Sequence, residues 1–271
     1  LYFDNYYPDC LMYFNEPLPF IPDFFKNVSE SLAENGHPPL SHKQQDWFSF
    51  CMMGILSSNT VCWKENERNS LGLYTDNAQS WMFRHSCIAW EELFLAGVRE
   101  TIREFNITKG ALVIDETDRS RSKSTRKIYH VHYLKDKKSG GTVPGQCVVL
   151  LFLVTPSVSI PAGFEFYMPD PQRTIWRKEY NRLKKQGVPV KGRPLEPKRR
   201  KEYPTKQEIG VTLLQKFKLN FPDLRISAVN ADALYGTGSF LEEAEKVYPQ
   251  VISQLKGEQK IIIRGIKKSI R

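Results

Sequence analysis

Asp115 closes the apolar run Ala111-Leu112-Val113-Ile114, and Asp232 closes the run from Ile226 to Ala231. A carboxylate at the end of a buried strand is costly unless it meets a partner or a cation. Two such acids can converge on one point if their strands are neighbours, and phosphodiester chemistry requires such convergence. There, two divalent ions roughly 3.5–4 Å apart activate the attacking oxygen and stabilise the leaving one. Hard carboxylate oxygens suit Mg²⁺ or Mn²⁺. The competing reading of each acid is a cap on the loop behind its strand. Glu116 follows Asp115 directly and points to the opposite side of a strand, so it is not counted as a ligand.

The charge distribution supplies a candidate substrate. The 271 residues carry a formal net charge of +9, unevenly spread. Residues 1 to 60 hold Lys26 and Lys43 against seven acids. Residues 177 to 206 hold twelve Lys or Arg against Glu179, Glu196 and Glu202, and residues 118 to 138 hold eight against Asp118 and Asp136. Concentrated basic segments in an otherwise acidic or neutral chain point to a polyanion. Arg119, Arg121, Lys123, Arg126 and Lys127 follow the first acid and are placed to hold phosphates beside it. The run Lys198-Arg199-Arg200-Lys201 is a second candidate for backbone contact. For both groups the alternative is a solvated loop.

These residues need elements to position them. Residues 1 to 38, rich in Pro and aromatics, read as an irregular arm. Residues 39 to 107 read as a small helical domain: a capping box at Ser41 to Gln44 opens one helix, a second covers Asn77 to His85, and a third runs from about Cys87 to Phe105. Trp47, Trp81 and Trp90 are expected in its core. Residues 108 to 271 form an α/β (α+β) domain with a mixed sheet. Its strands are expected at 111–114, 128–134, 146–155, 225–231 and 260–264, with helices at 205–220 and 239–255, the latter interrupted near Pro249. A Pro-rich basic insertion fills about 157 to 204. The order is an antiparallel meander followed by two helical crossovers, which favour parallel strands.

At this point a resemblance becomes specific. Ala111 through Asp115-Glu116-Thr117-Asp118 to Lys123 resembles the first-aspartate block of IS4-type (IS701-like) bacterial DDE transposases. Asn230-Ala231-Asp232-Ala233-Leu234-Tyr235-Gly236 resembles the second. Gly163 to Pro169 and Ile252 to Leu255 are similar to the family as well, and the resemblance spans roughly residues 40 to 265. It implies a ribonuclease H-like five-stranded core and an enzyme that nicks DNA at transposon ends and joins the freed 3′-hydroxyl to another strand. Asp115 and Asp232 would be the catalytic metal ligands for Mg²⁺ or Mn²⁺. Double-stranded DNA, at transposon ends and target, would be the partner, with a homodimer in the DNA complex. The setting would be the bacterial cytoplasm, at the nucleoid.

The family's third acid is a Glu in a Tyr…Arg…Glu…Lys helix beyond the fifth strand. Glu258 precedes the strand expected at 260–264, so the core is incomplete and little or no strand transfer is expected. Two alternatives follow: a catalytically dead DNA-binding remnant, or a ribonuclease H-like nuclease that cuts without joining. The chain starts at Leu1 with its first Met at 12, which suggests a fragment or trimmed chain.

Other features narrow the field. The five cysteines are widely spaced and include no Cys-x-x-Cys, which argues against a zinc site or disulfide framework. His130 and His132 share one face of the expected second strand, where a structural role is favoured over metal binding. No apolar run approaches the ~20 residues of a membrane span, and no Gly-rich Lys loop signals ATP use.

Overall fold

The computed structural model describes residues 16–70, 72, 74–121, 128–136, 139–255, 257, 259–263 and 266–269. The chain divides into two compact units, 1–106 and 107–271.

The first unit is helical: α1 (Phe20–Glu34), α2 (His42–Ser58), α3 (Trp63–Asn69), α4 (Asp76–His85) and α5 (Trp90–Glu104). The segment expected as an irregular arm contains α1. Its prolines hid it, yet Pro19 sits at the N-cap and Pro22 in the first turn, where no intrahelical amide bond is lost. Behind them Ile21, Phe25, Val28 and Leu32 fall on one buried stripe. Val28, Leu32, Leu40 and Ala96 form the core, with Phe24, Phe48 and Leu93 against it. The expected capping box opens α2: Ser41 Oγ accepts from the Gln44 amide, and Gln44 Oε1 accepts from the Ser41 amide. The expectation of core tryptophans fails for Trp81 and Trp90, which are 58% and 44% exposed. They pack at a tilt against other rings instead, Trp81 on His85 and Trp90 on Phe83.

The second unit is a mixed α/β structure. Its elements are β1 (Lys109–Ser120), β2 (His132–Lys135), β3 (Thr142–Val154), β4 (Ser159–Tyr167), α6 (Pro171–Lys185), α7 (Lys206–Asn220), β5 (Arg225–Ala231), α8 (Gly238–Glu245), β6 (Val251–Ser253), β7 (Lys260–Ile263) and β8 (Ile266–Ser269). A six-stranded mixed sheet runs in the order β2-β3-β1-β5-β6, with β4 also on β3. β3 is antiparallel to β1, β2 and β4. β5 is parallel to β1, and β6 to β5. α7 covers one sheet face: Ile209, Leu213, Leu214 and Phe217 are buried there, as are Leu112, Ile114, Val149, Leu151 and Val229 of the sheet.

Four sequence expectations need correction. The strand expected at 128–134 is only His132–Lys135; His130 adopts a left-handed backbone (φ 53°) that breaks the pleat. β4 lies inside the segment expected as an insertion, because its Pro161 and Gly163 obscure the alternation. The helix expected to reach residue 255 stops at Glu245, and β6 follows the Pro249 break. The strand at 260 pairs only with β8 in a separate hairpin, so the strand beyond β5 in the main sheet is Val251–Ser253, too short for its period to be read.

Candidate metal and nucleic-acid site

The site begins with sheet register. Ile114 of β1 pairs with Ala231 of β5 in the parallel ladder. Asp115 is the next residue on β1 and Asp232 the first residue after the end of β5, and neighbouring strands run ~4.8 Å apart. Leu112, Ile114 and Val229 face the buried side beneath α7, so the alternation along β1 turns Asp115 to the other face, and Asp115 and Asp232 are both exposed. Asp115 does not end its strand, as its apolar run implied. β1 continues to Ser120, paired there only with β3. Asp115 thus stands where β1 loses its β5 neighbour and one edge opens.

That edge forms a cleft of about 770 Å³ lined by Asp115, Glu116, Thr117, Asp118, Asp136 and Asp232, with Lys135 among them. Glu116, set aside on strand alternation, lines the cleft as well, and Asp118 and Asp136 are cleft residues with no periodic signal to mark them. Among the described residues, no group of three or more His, Cys, Asp or Glu comes together to hold a metal ion. Glu258 lies outside the described residues.

The second acid is held by its turn. Asp232 Oδ1 accepts from the Leu234 amide (2.8 Å). Its carbonyl accepts from Ser253 Oγ (2.7 Å), and Gln207 of α7 donates to the Leu234 carbonyl (2.7 Å). Tyr235 is fully buried. Gly236 is required: a Cβ there would lie 2.2 Å from the Gln254 carbonyl oxygen. Asp115 Oδ1 accepts from the Glu116 amide (2.8 Å).

Behind the pair, on the covered face, lies a polar cluster. Lys206 Nζ stands 3.3 Å from Glu116 Oε1 and over the Tyr167 ring. Burial works against the Lys206 charge, but Cys147 and Glu116 beside it outweigh that and hold the ammonium above its ordinary value. Burial pushes the Cys147 thiol up to about 11, so it is no thiolate nucleophile. Burial, then the charges of Glu116 and Asp232, push the Tyr235 phenol up. Among the described residues, Tyr235 Oη and Glu116 Oε2 are buried with no hydrogen-bond partner.

The basic candidates divide. Arg119 is exposed on β1. Arg121 is committed to Gln146, its Nε and Nη2 donating to Oε1 at 2.9 and 2.7 Å. Gln146 in turn donates to the Tyr129 carbonyl (2.6 Å). Lys123, Arg126 and Lys127 lie outside the described residues. Lys198 and Lys201 are exposed. Arg199 pairs with Glu208, and Arg200 pairs with Asp170 (2.6 Å), the buried N-cap of α6. Arg199 and Arg200 are thus both engaged with carboxylates of the chain itself. The Asp-Pro pair opening α6 was a legible helix-start signal. His132 Nδ1 donates to the His130 carbonyl (3.0 Å), which gives both residues a local role.

In comparison with known proteins, no family model matches this chain and no curated protein is similar to it.

Proposed function

We propose that this chain carries out, or descends from proteins that carry out, metal-dependent phosphodiester chemistry on double-stranded DNA, as a DDE-type transposase with a ribonuclease H-like core. The observation that carries this reading is the Ile114–Ala231 register, which sets Asp115 beside Asp232 at an open strand edge. The strand order supports it too: an antiparallel β4-β3-β1 meander followed by parallel β5 and β6 is the arrangement expected of that core.

The donor set fits a hard divalent cation. Mg²⁺ is commonly held by one or two carboxylates, the remaining positions going to water and substrate phosphate oxygens. Asp115 and Asp232 would hold it. When bound there, such a cation stabilises charge on the phosphate and lowers the pKa of water. The protein's own residues present the two carboxylates, fix the Asp232 turn through Ser253 and Gln207, and set the Lys206–Glu116 pair beside them.

A second reading, a DNA-binding protein without catalysis, is favoured because, among the described residues, no group of three or more His, Cys, Asp or Glu is placed to hold a metal ion. One experiment separates them. End-labelled duplex DNA is incubated with the protein and Mn²⁺, and nicking is followed. The transposase reading expects cleavage that Asp115→Asn and Asp232→Asn each reduce at least ~100-fold, as loss of a catalytic ligand does. DNA binding without cleavage selects the second reading, and cleavage indifferent to both substitutions rejects the acid pair as the site.

A further inference from the structure

We infer that the excursion from Pro171 to Lys201 is an arm that grips the phosphate backbone of double-stranded DNA through its lysines and Arg177, while its other arginines build the arm. The identity of the polymer rests on the function proposed above.

The arm has no hydrophobic core of its own. α6 has no buried residue, so burial of apolar surface does not hold this segment. Polar contacts do. Between Pro171 and Lys201 stand six arginines and six lysines. Five of the arginines are spent internally. Arg173 pairs with Glu196, and Arg182 with Glu179 (2.6 Å). Arg193 donates to the Val188 carbonyl (2.9 Å) and to Tyr180 Oη (3.2 Å), its guanidinium lying over the Tyr180 ring. Arg199 and Arg200 pair with Glu208 and Asp170 at the base. Trp176 Nε1 adds a bond to the Pro194 carbonyl (2.8 Å).

The remaining cations face solvent. Arg177, Lys184, Lys185, Lys191, Lys198 and Lys201 are all exposed and form no ion pair among the described residues. Lys178 lies over the Tyr133 ring of β2. The partition follows side-chain chemistry. A guanidinium fork suits fixed bidentate pairing, whereas a lysine is a mobile point charge on a flexible stem. A surface of unpaired lysines on a pinned scaffold suits phosphates, which carry charge and position but no sequence. A solvated loop would need neither the pinned base nor the internal arginine network.

The test uses the full chain, a fluorescent random-sequence DNA duplex, and anisotropy across a salt series without divalent ions. Each phosphate contact adds about 0.9 to the slope of log affinity against log salt, so a K184Q/K185Q/K191Q/K198Q variant should lower that slope by about 2–4. Its melting temperature and protease resistance should match the unsubstituted chain. Arg200→Gln should instead expose the arm to protease. An unchanged slope in the lysine variant, with Mn²⁺-dependent nicking intact, overturns the arm assignment and leaves the proposed function standing. No binding of duplex DNA by the unsubstituted chain removes both. Tighter binding of an RNA duplex than of the DNA duplex overturns the choice of DNA.

Discussion

At the residue scale, the informative contrast is between two adjacent carboxylates. Asp115 and Glu116 both line the cleft with Asp232, but Glu116 is also paired with Lys206 of α7. Their substitutions should therefore differ in kind. Asp115→Asn is expected to abolish Mn²⁺-dependent nicking, while Glu116→Gln leaves it within about tenfold, a difference that single-turnover cleavage assays would read. Lys206→Met should act on stability instead. It strands a largely buried carboxylate, which costs about 1–3 kcal/mol, and Glu116→Gln added to it should recover part of that loss in urea unfolding. A Lys206→Met variant as stable as the unsubstituted chain would show the pair to be solvated.

At the element scale, helix ends and turns decide where side chains arrive. α7 opens with a capping box: Thr205 Oγ1 accepts from the Glu208 amide (3.2 Å) and Glu208 Oε2 accepts from the Thr205 amide (2.8 Å). Thr205→Ala should cost about 1 kcal/mol, measured as a shift in the urea midpoint. Gly236→Ala forces a Cβ into the Gln254 carbonyl, and overpacking of this kind typically costs about 1–3 kcal/mol. It should also displace Asp232 and lower nicking. The base of α6 carries a pH prediction. Hydrogen bonding from Arg200 holds the Asp170 carboxyl down at about 2, against roughly 3.9 in an unfolded chain. A depressed carboxylate stabilises the fold above the unfolded value and loses that contribution as pH falls through the folded one. The arm should therefore loosen between about pH 4 and pH 2, seen as faster cleavage by an acid protease, and Asp170→Asn should remove that pH dependence while leaving the arm looser throughout.

At the scale of the whole molecule, charge is segregated by unit. Residues 1–106 hold seven Lys or Arg against fourteen Asp or Glu, and residues 107–271 hold thirty-two against sixteen. The helical unit is thus net −7 and the sheet-containing unit net +16. A polyanion is repelled by the first and attracted by the second. Neutralising Lys26 or Arg103 in the helical unit should leave the salt slope of DNA binding unchanged, in contrast to the arm lysines. No helix among the described residues is long and apolar enough to cross a membrane.

Much of this was written locally. The apolar runs before Asp115 and Asp232, the capping boxes at Ser41 and Thr205, and the crowding of bases between 177 and 206 are properties of neighbouring residues, so the chain alone determined them. The same local reading failed where proline or glycine disguised a regular element, as in α1 and β4, or where a strand was only three residues long, as in β6. Partnership was decided only by the tertiary structure. Sequence spacing carries no information on which ladder aligns residue 114 with residue 231, which arginines find carboxylates across tens of residues, or that the strand at 260 leaves the main sheet. Those outcomes depend on register and burial summed over the whole unit, and they separate the arginines that fasten the arm from the lysines left to face its partner.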